Sequence, residues 1–490
     1  MTTERSRWVA LYILCTGMLM IVLDVTVVNV ALPYIQSDLG FSEASLAWVV
    51  NAYLIAFGGL LLLAGRLGDL FGRLRIFQTG LAIFTLASAV CGLAQDQLVL
   101  VVARFVQGAG GALTSSVILG MIITMFTEPA EQAKAIGVFS FVAAAGSAVG
   151  LLAGGVLTQA INWHWIFFIN LPIGIAVAVL AKRLVANPDG IGLSAGADFP
   201  GALLLTSSLM LGVFTILQIE KWGWGDSRTL ILSAISAILL ALFILRQARI
   251  ANPLMPLRLF RSRNVAGSNV LQALLVAGMF GMFFLGALYL QRVLGYSPLE
   301  VGLAFLPTTI VMGGLSLGLS ERLIMRFGPR TTLIPGVCLV VVALLLFART
   351  PVDGSYLTDL LPPFLLIGVG VGTSFPAIMT LAMSGATPAD AGLASGLVNT
   401  SMQVGGSIGL AVLATLSTER TNSLLADGES QLAALNSGYH LAYLIGAGLA
   451  ATAAAIAIFV LRSPRPEEMP AHQEAEAPQA QPDSALSEVG

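Results

Sequence analysis

Apolar runs of about 20 residues, the length a helix needs to cross a bilayer, recur from Trp8 to Leu461 with only short polar breaks between them. No other feature constrains the chain as strongly. The runs are centred on 8–31, 47–65, 76–94, 98–122, 135–159, 164–184, 200–219, 229–246, 265–290, 299–319, 332–349, 361–383, 392–416 and 439–461. Fourteen spans of about 21 residues each use roughly 60% of the 490 residues. Composition agrees: 57% of residues are hydrophobic and 10% charged, against about 25% charged in soluble domains. An ordinary cytosolic enzyme is excluded, and an all-α integral membrane protein with 14 transmembrane helices is expected.

An even number of spans puts both termini on one side, and the distribution of cations chooses which. Lys221, Arg228, Arg292, Arg349 and Arg420 fall opposite the N-terminus and Arg104 falls inside a span, leaving 18 of the 24 Lys and Arg on the N-terminal side. Both termini are therefore expected in the cytoplasm, with the chain in the cell membrane. Arg5 and Arg7 precede a first run too long for a signal peptide, so it reads as a retained anchor. The Pro-, Glu- and Ala-rich stretch 463–490 has a composition that buries no core and is expected to be a disordered cytoplasmic tail. A net charge of -2 points to no nucleic acid and no acidic partner. Cys15, Cys91 and Cys338 all fall in apolar runs, which suggests neither disulfide nor metal site.

A faint repeat divides the chain. Gly65-Arg66-Leu67-Gly68-Asp69-Leu70-Phe71-Gly72-Arg73 joins runs two and three, and Glu321-Arg322-Leu323-Ile324-Met325-Arg326-Phe327-Gly328-Pro329-Arg330 joins runs ten and eleven. Each loop sets a carboxylate, a Phe-Gly pair and arginines at one place in its six-span half, an arrangement known from transporters with parallel halves. The expected organisation is a six-helix bundle over 1–190, two inserted helices with flanking loops over 191–262, a second six-helix bundle over 263–462 and the tail.

These residues resemble the major facilitator superfamily, and within it the fourteen-span drug:proton antiporters. The loop Gly65, Leu67, Asp69, Gly72, Arg73 is similar to the signature after span two, and Leu100, Arg104, Gln107, Gly108, Gly110, Gly111, Ala112 to that of span four. Leu23-Asp24 through Asn29 to Pro33, and Trp163-His164-Trp165 through Asn170 to Pro172 and Gly174, look like exporter patterns of spans one and six. Gly146, Gly150, Gly154 and Gly155 resemble the antiporter glycine ladder of span five, with Leu151 where that family has Pro, and His164 stands where it usually has Arg. The resemblance implies a monomeric exporter of hydrophobic or cationic drugs, moved by alternating access and driven by the proton gradient without a cofactor. A Gly-x-x-x-x-Gly-Lys-Ser/Thr loop for ATP is absent. A dedicated exporter of one natural product or lipid, a facilitated importer, and a membrane-embedded enzyme or scaffold stay open beside it.

Charge inside a bilayer costs at least about 2.5–3.5 kcal/mol per residue, so Asp24 and Arg104 point to function. Both lie roughly 10 Å below the same membrane surface at 1.5 Å per residue. Asp24 is expected to carry the proton, Arg104 to set how tightly it is held, and substrate to compete for the same cavity; a pair that only fixes helix register is the plainer alternative. Gln107, Gly108 and Gly111 share the face of Arg104, and with Asn29, Phe375, Asn399 and Gln403 are candidate cavity residues. Gly65, Asp69, Gly72 and Arg73 are implied, by the resemblance, to form a conformational latch against the other half. Gly146, Gly150, Gly154 and Gly155 form a smooth face for helix contact, which the resemblance places against the other half.

Overall fold

The structure, a computed structural model, describes residues 4–126, 128–185, 192, 196–384 and 391–463. The expected tail lies, beyond Ser463, outside them. Every regular element among the described residues is helical: α1 (Glu4–Leu39), α2 (Glu43–Leu46), α3 (Trp48–Phe71), α4 (Arg73–Gly92), α5 (Gln97–Met125), α6 (Pro129–Ala160), α7 (Trp165–Phe168), α8 (Asn170–Leu184), α9 (Phe199–Trp222), α10 (Ser227–Arg249), α11 (Arg263–Leu288), α12 (Pro298–Gly314), α13 (Ser320–Phe327), α14 (Pro329–Phe347), α15 (Leu361–Met383), α16 (Ala391–Ala426) and α17 (Gln431–Phe459).

Each expected run falls on a helix, but among the described residues twelve stretches are long and apolar enough to cross a membrane, against the fourteen expected. The difference lies in α6 and α12. α6 is one helix from Pro129 to Ala160 with Glu131, Gln132 and Lys134 in its first turns, and its described apolar stretch is Ala145–Ala160. The helix of α12 passes through a π-helical turn, Leu315–Leu319, before resuming as α13. Helix ends also lie beyond the apolar runs, because polar caps set them. Asp96, Asp198 and Asp226 accept from the first-turn amides of α5, α9 and α10, and Ser297 and Glu300 close a capping box on α12.

Six of the helices form one bundle: α1 packs on α6 and α8, α3 on α5, and α4 on α5 and α8. The second bundle repeats the scheme with α11 on α16 and α17, α12 on α15, and α14 on α15 and α17. The repeated loops match in backbone too, Gly72 at φ 97 and Gly328 at φ 85, a conformation glycine takes without a Cβ clash. The bundles meet where α6 faces α12 and α3 faces α16. Across that second seam lies α9, on both α3 and α16, with α10 beside it and largely exposed. Gly59 leaves room for Thr206 of α9, and the Thr415 hydroxyl of α16 donates to the Ile216 carbonyl.

The glycine face of α6 is divided between two neighbours. Gly146, Gly150 and Gly154 lie against Leu19, Thr26 and Val27 of α1 in their own bundle, not against the other half as the resemblance implies. The cross-bundle contact is made by residues interleaved with them. A Cβ on Gly155 would fall 2.8 Å from the Leu299 Cα, and one on Gly302 would fall 2.6 Å from the Leu151 carbonyl oxygen. Leu151, in the place of the expected Pro, thus presents its carbonyl to a glycine of α12, Gly302.

Candidate functional site

A buried polar centre lies in the first bundle. Asp24 and Gln107 are fully buried and Arg104 is 1% exposed. Arg104 Nη1 donates to Asp24 Oδ2 at 2.5 Å and to Gln107 Oε1 at 2.6 Å, and its Nε donates to the Val49 carbonyl at 2.9 Å. The other carboxylate oxygen accepts from Gln107 Nε2 at 2.7 Å and Asn170 Nδ2 at 2.9 Å. Ser88 Oγ accepts from both amides, at 2.7 and 3.3 Å. The Arg104 guanidinium also stands over the Tyr53 ring, 4.5 Å from its centroid, an added stabilisation for a desolvated cation. One ion pair and five uncharged partners from α1, α3, α4, α5 and α8 thus neutralise and satisfy the charges that lipid would penalise.

The local sequence explains the convergence. On α5, Arg104 and Gln107 are three residues apart and share a face. The next turn is cleared by Gly108, where a Cβ would meet the Tyr53 carbonyl oxygen at 2.3 Å, so α3 lies close enough to offer Val49 and Tyr53. The short α7 brings the chain from Trp163 down to Asn170, the first residue of α8. Asn170 stands in the Trp163–Gly174 pattern without any sign in sequence that it meets Asp24. Ser88, one of three hydroxyl residues in an apolar run with Thr79 and Thr85, carries no sequence signal at all.

A second feature is a cavity of about 1510 Å³ between the bundles, lined from the first by Met18, Phe57 and Ser115 and from the second by Met379, Ser395 and Asn399. It reaches the end of the molecule that carries Gly65, Asp69 and Arg73. At the opposite end the bundles are joined: Gln291 Nε2 donates to the Val30 carbonyl at 3.0 Å, and the Leu299 amide to Gln159 Oε1 at 3.4 Å.

The two features are separate. Asp24 is sealed from the cavity, whose lining on α1 is Met18, six residues and about 9 Å of helical rise away. Direct competition between proton and substrate at Asp24, expected from sequence, therefore has no geometric basis in this state. Of the candidate cavity residues, Asn399 lines the space. Gln107 belongs to the polar centre; Gly108 and Gly111 face Tyr53 and Phe57 of α3; Gln403 packs over Gly58. Asn29 donates to the Val25 carbonyl of its own helix, and neither it nor Phe375 is among the lining residues. Asp69 accepts from Arg73 Nη2 at 3.2 Å, and Arg73 Nη1 also donates to the Gly120 carbonyl at 2.8 Å. These partners all belong to the first bundle.

The comparisons with known proteins agree with this architecture. The chain is 40% identical over 77% of its length, and 75% of the relative's, to the puromycin resistance protein of Streptomyces alboniger. It is 37% identical to the cephamycin export protein of Amycolatopsis lactamdurans, over 74% of this chain and 75% of that one. Among solved structures, an inward-facing, unoccupied bacterial homolog of the human lysosomal transporter Spinster superposes with a TM-score of 0.70 at 17% identity, covering 96% of this chain and 100% of that one. The sequence model of the Major Facilitator Superfamily matches residues 14–410. With its helical bundles and its membrane-crossing helices, the chain belongs to the major facilitator superfamily of membrane transporters.

Proposed function

We propose that this transporter is a fourteen-span, proton-driven exporter of drug-like small molecules in the cell membrane, with α9 and α10 as two helices inserted between six-helix halves. Twelve long crossings, together with the apolar part of α6 and the α12–α13 path, support a count of fourteen. The excess of cations at the end where the cavity opens supports cytoplasmic termini and makes this an inward-open state. Export rather than import is supported by the relatives, whose names state resistance to puromycin and export of cephamycin. The narrowness of those names favours, as a second reading, an exporter dedicated to one natural product.

The observation that carries the proposal is the sealed carboxylate. Asp24 is the acid whose protonation would remove the charge paired with Arg104 and weaken the hydrogen bonds from Gln107 and Asn170. Its helix transmits the change. Leu19, Thr26 and Val27 flank Asp24 on α1 and bear on the glycine face of α6, and α6 carries Leu151 and Gly155 to the α12 interface. Proton and substrate then couple through α1 and α6 and need not share a subsite. In inverted membrane vesicles, Asp24→Asn, which keeps the shape, should lower uptake driven by a pH gradient at least about tenfold, a barrier change of about 1.4 kcal/mol. Uptake at the wild-type rate would sink the assignment. A resistance panel in a pump-deficient host separates the two readings: protection against one compound supports the dedicated exporter, protection against several the broader one.

A further inference from the structure

One wall of the cavity comes from the helices of neither bundle. The link between α10 and α11, residues 250–262, borders the open end and gives Ile250, Pro253, Leu254, Pro256 and Leu257 to the lining. It supplies more of the described lining than the second bundle's own helices, which give Met379, Ser395, Gly396 and Asn399. Its sequence keeps it extended. Pro253 and Pro256 lack an amide donor and hold the residues before them out of the helical region. Ile250 and Pro256 have extended backbone angles, and a short helical turn forms only at Leu257–Arg261.

Two apolar anchors hold the link. Leu254 is buried with Leu63 of α3 and Ala202 of α9, and Leu259 with Val265 of α11 and Leu397 of α16. One anchor thus grips each side of the cavity, and the five residues from Leu254 to Leu259 reach at most about 18 Å. Gln247, buried at the end of α10, accepts from the Met255 amide at 3.1 Å and closes the loop behind Leu254. A wall fixed at three points has little freedom left to lose when a ligand lies against it. Ile250 and Leu257 differ from the anchors: both are half-buried, and both line the cavity. Apolar surface left open between fixed anchors gains from being covered by another apolar group.

Resting on the export reading above, we infer that the link is part of the cargo site, with Ile250 and Leu257 as specificity-determining residues. They hold an extended apolar part of the cargo between the link and Phe57 and Leu61 of α3. The insertion of α9 and α10 thereby acts on which cargo is taken, through the segment that joins it to the second bundle.

A neutral probe, the dansyl amide of dodecylamine, tests this on the full chain in phosphatidylcholine nanodiscs, with empty discs subtracted. It should bind saturably. Ile250→Asn together with Leu257→Asn, which leaves both anchors in place, should weaken it about tenfold. Ile250→Leu together with Leu257→Ile, which keeps the apolar volume, should stay within about twofold of wild type. A diazirine on the dodecyl tail locates the contact without any substitution: light should label peptides within 250–261, and excess unmodified probe should remove that label. The inference is overturned by a probe that does not saturate, by an asparagine pair that binds as wild type does, or by equal loss in both pairs. Competed label found only outside the link overturns it too. Binding needs no gradient. A chain that holds the probe at the link but does not move it when a pH gradient is applied would overturn the export reading alone.

Discussion

Asp24 takes its hydrogen bonds from residues 80, 83 and 146 positions away in sequence, so its setting is a product of tertiary packing. What the sequence exposes is the cost: a carboxylate and a guanidinium in lipid-length runs must find each other or water. Which amides complete the shell was not legible, because an Asn or Gln in an apolar run looks alike whether it faces ligand, backbone or a carboxylate. Gln107 shares the face of Arg104, as the spacing dictates, and that face turns toward Asp24 and Ser88. Asn170 gives the sharpest check on the shell. Asn170→Ala removes a donor to a buried carboxylate, a bond worth about 1.5–3 kcal/mol, and opens a small void. The thermal unfolding midpoint in detergent should fall, and pH-driven uptake with it, while Asn170→Asp, which adds a second acid beside Asp24, should be worse than the alanine. An alanine variant indistinguishable from wild type in both measurements would mean that the amide contributes nothing to holding the charge.

Helices α9 and α10 pack as a hairpin, joined midway by reciprocal hydrogen bonds between the Ser208 and Ser236 hydroxyls and carbonyls and at one end by Asp198. Asp198 caps α9 through the Gly201 amide, while its carboxylate accepts from Arg246 Nε at 2.6 Å and Gln247 Nε2 at 2.7 Å at the far end of α10. Gln247 in turn accepts from the Met255 amide, which fixes the loop bearing Arg258 and Arg261. Burial raises the carboxyl's proton affinity, but the hydrogen bonds from Arg246, Gln247 and Gly201 outweigh it and hold Asp198 below the usual carboxylate range. A lowered value in the folded state means a contribution that is present at neutral pH and is lost only as pH falls through that lowered value. Asp198→Asn keeps a capping side chain but loses the ion pair. It should cost about 1 kcal/mol at neutral pH, and the difference from wild type should close in strong acid; no gap at neutral pH would assign Asp198 to capping alone, and a gap independent of pH would mean that the ion pair is not what the variant loses. Between helices, contact depends on absent side chains. Gly108→Val would drive a branched side chain into the Tyr53 carbonyl and should destabilise by about 1–3 kcal/mol, read as a lower unfolding midpoint. The centres of these helices were legible from hydropathy. Their ends were not, since Asp96, Asp198 and Asp226 fix them by hydrogen bonds outside the apolar runs.

The two bundles repeat one packing scheme, which the chain announces only through the loops ending at Arg73 and Arg330; the helix faces that carry the repeat share shape rather than identity. The same limit hid the orientation of α6, whose glycines read as a single stripe although its interleaved Leu151, Gly155 and Gln159 are what touch the other bundle. That asymmetry has a consequence for motion. With the cavity open at the Asp69 end and the bundles joined around Val30, Gln159, Gln291 and Leu299, access from the other side requires α6 and α12 to part at their joined ends. Gln159→Cys and Leu299→Cys place two thiols across that junction. Cys15 and Cys91 are buried, so only the exposed Cys338 needs replacement by Ser to make the pair the accessible thiols. A short, cleavable bis-thiol reagent should then slow transport in inverted vesicles at least about tenfold, and cleavage should restore it. Binding of a cargo that enters from the Asp69 end should survive the cross-link, because the cavity stays open to that side. Full turnover with the bridge intact would show that the bundles need not separate at this junction, and the route of cargo would then have to run elsewhere than between α6 and α12.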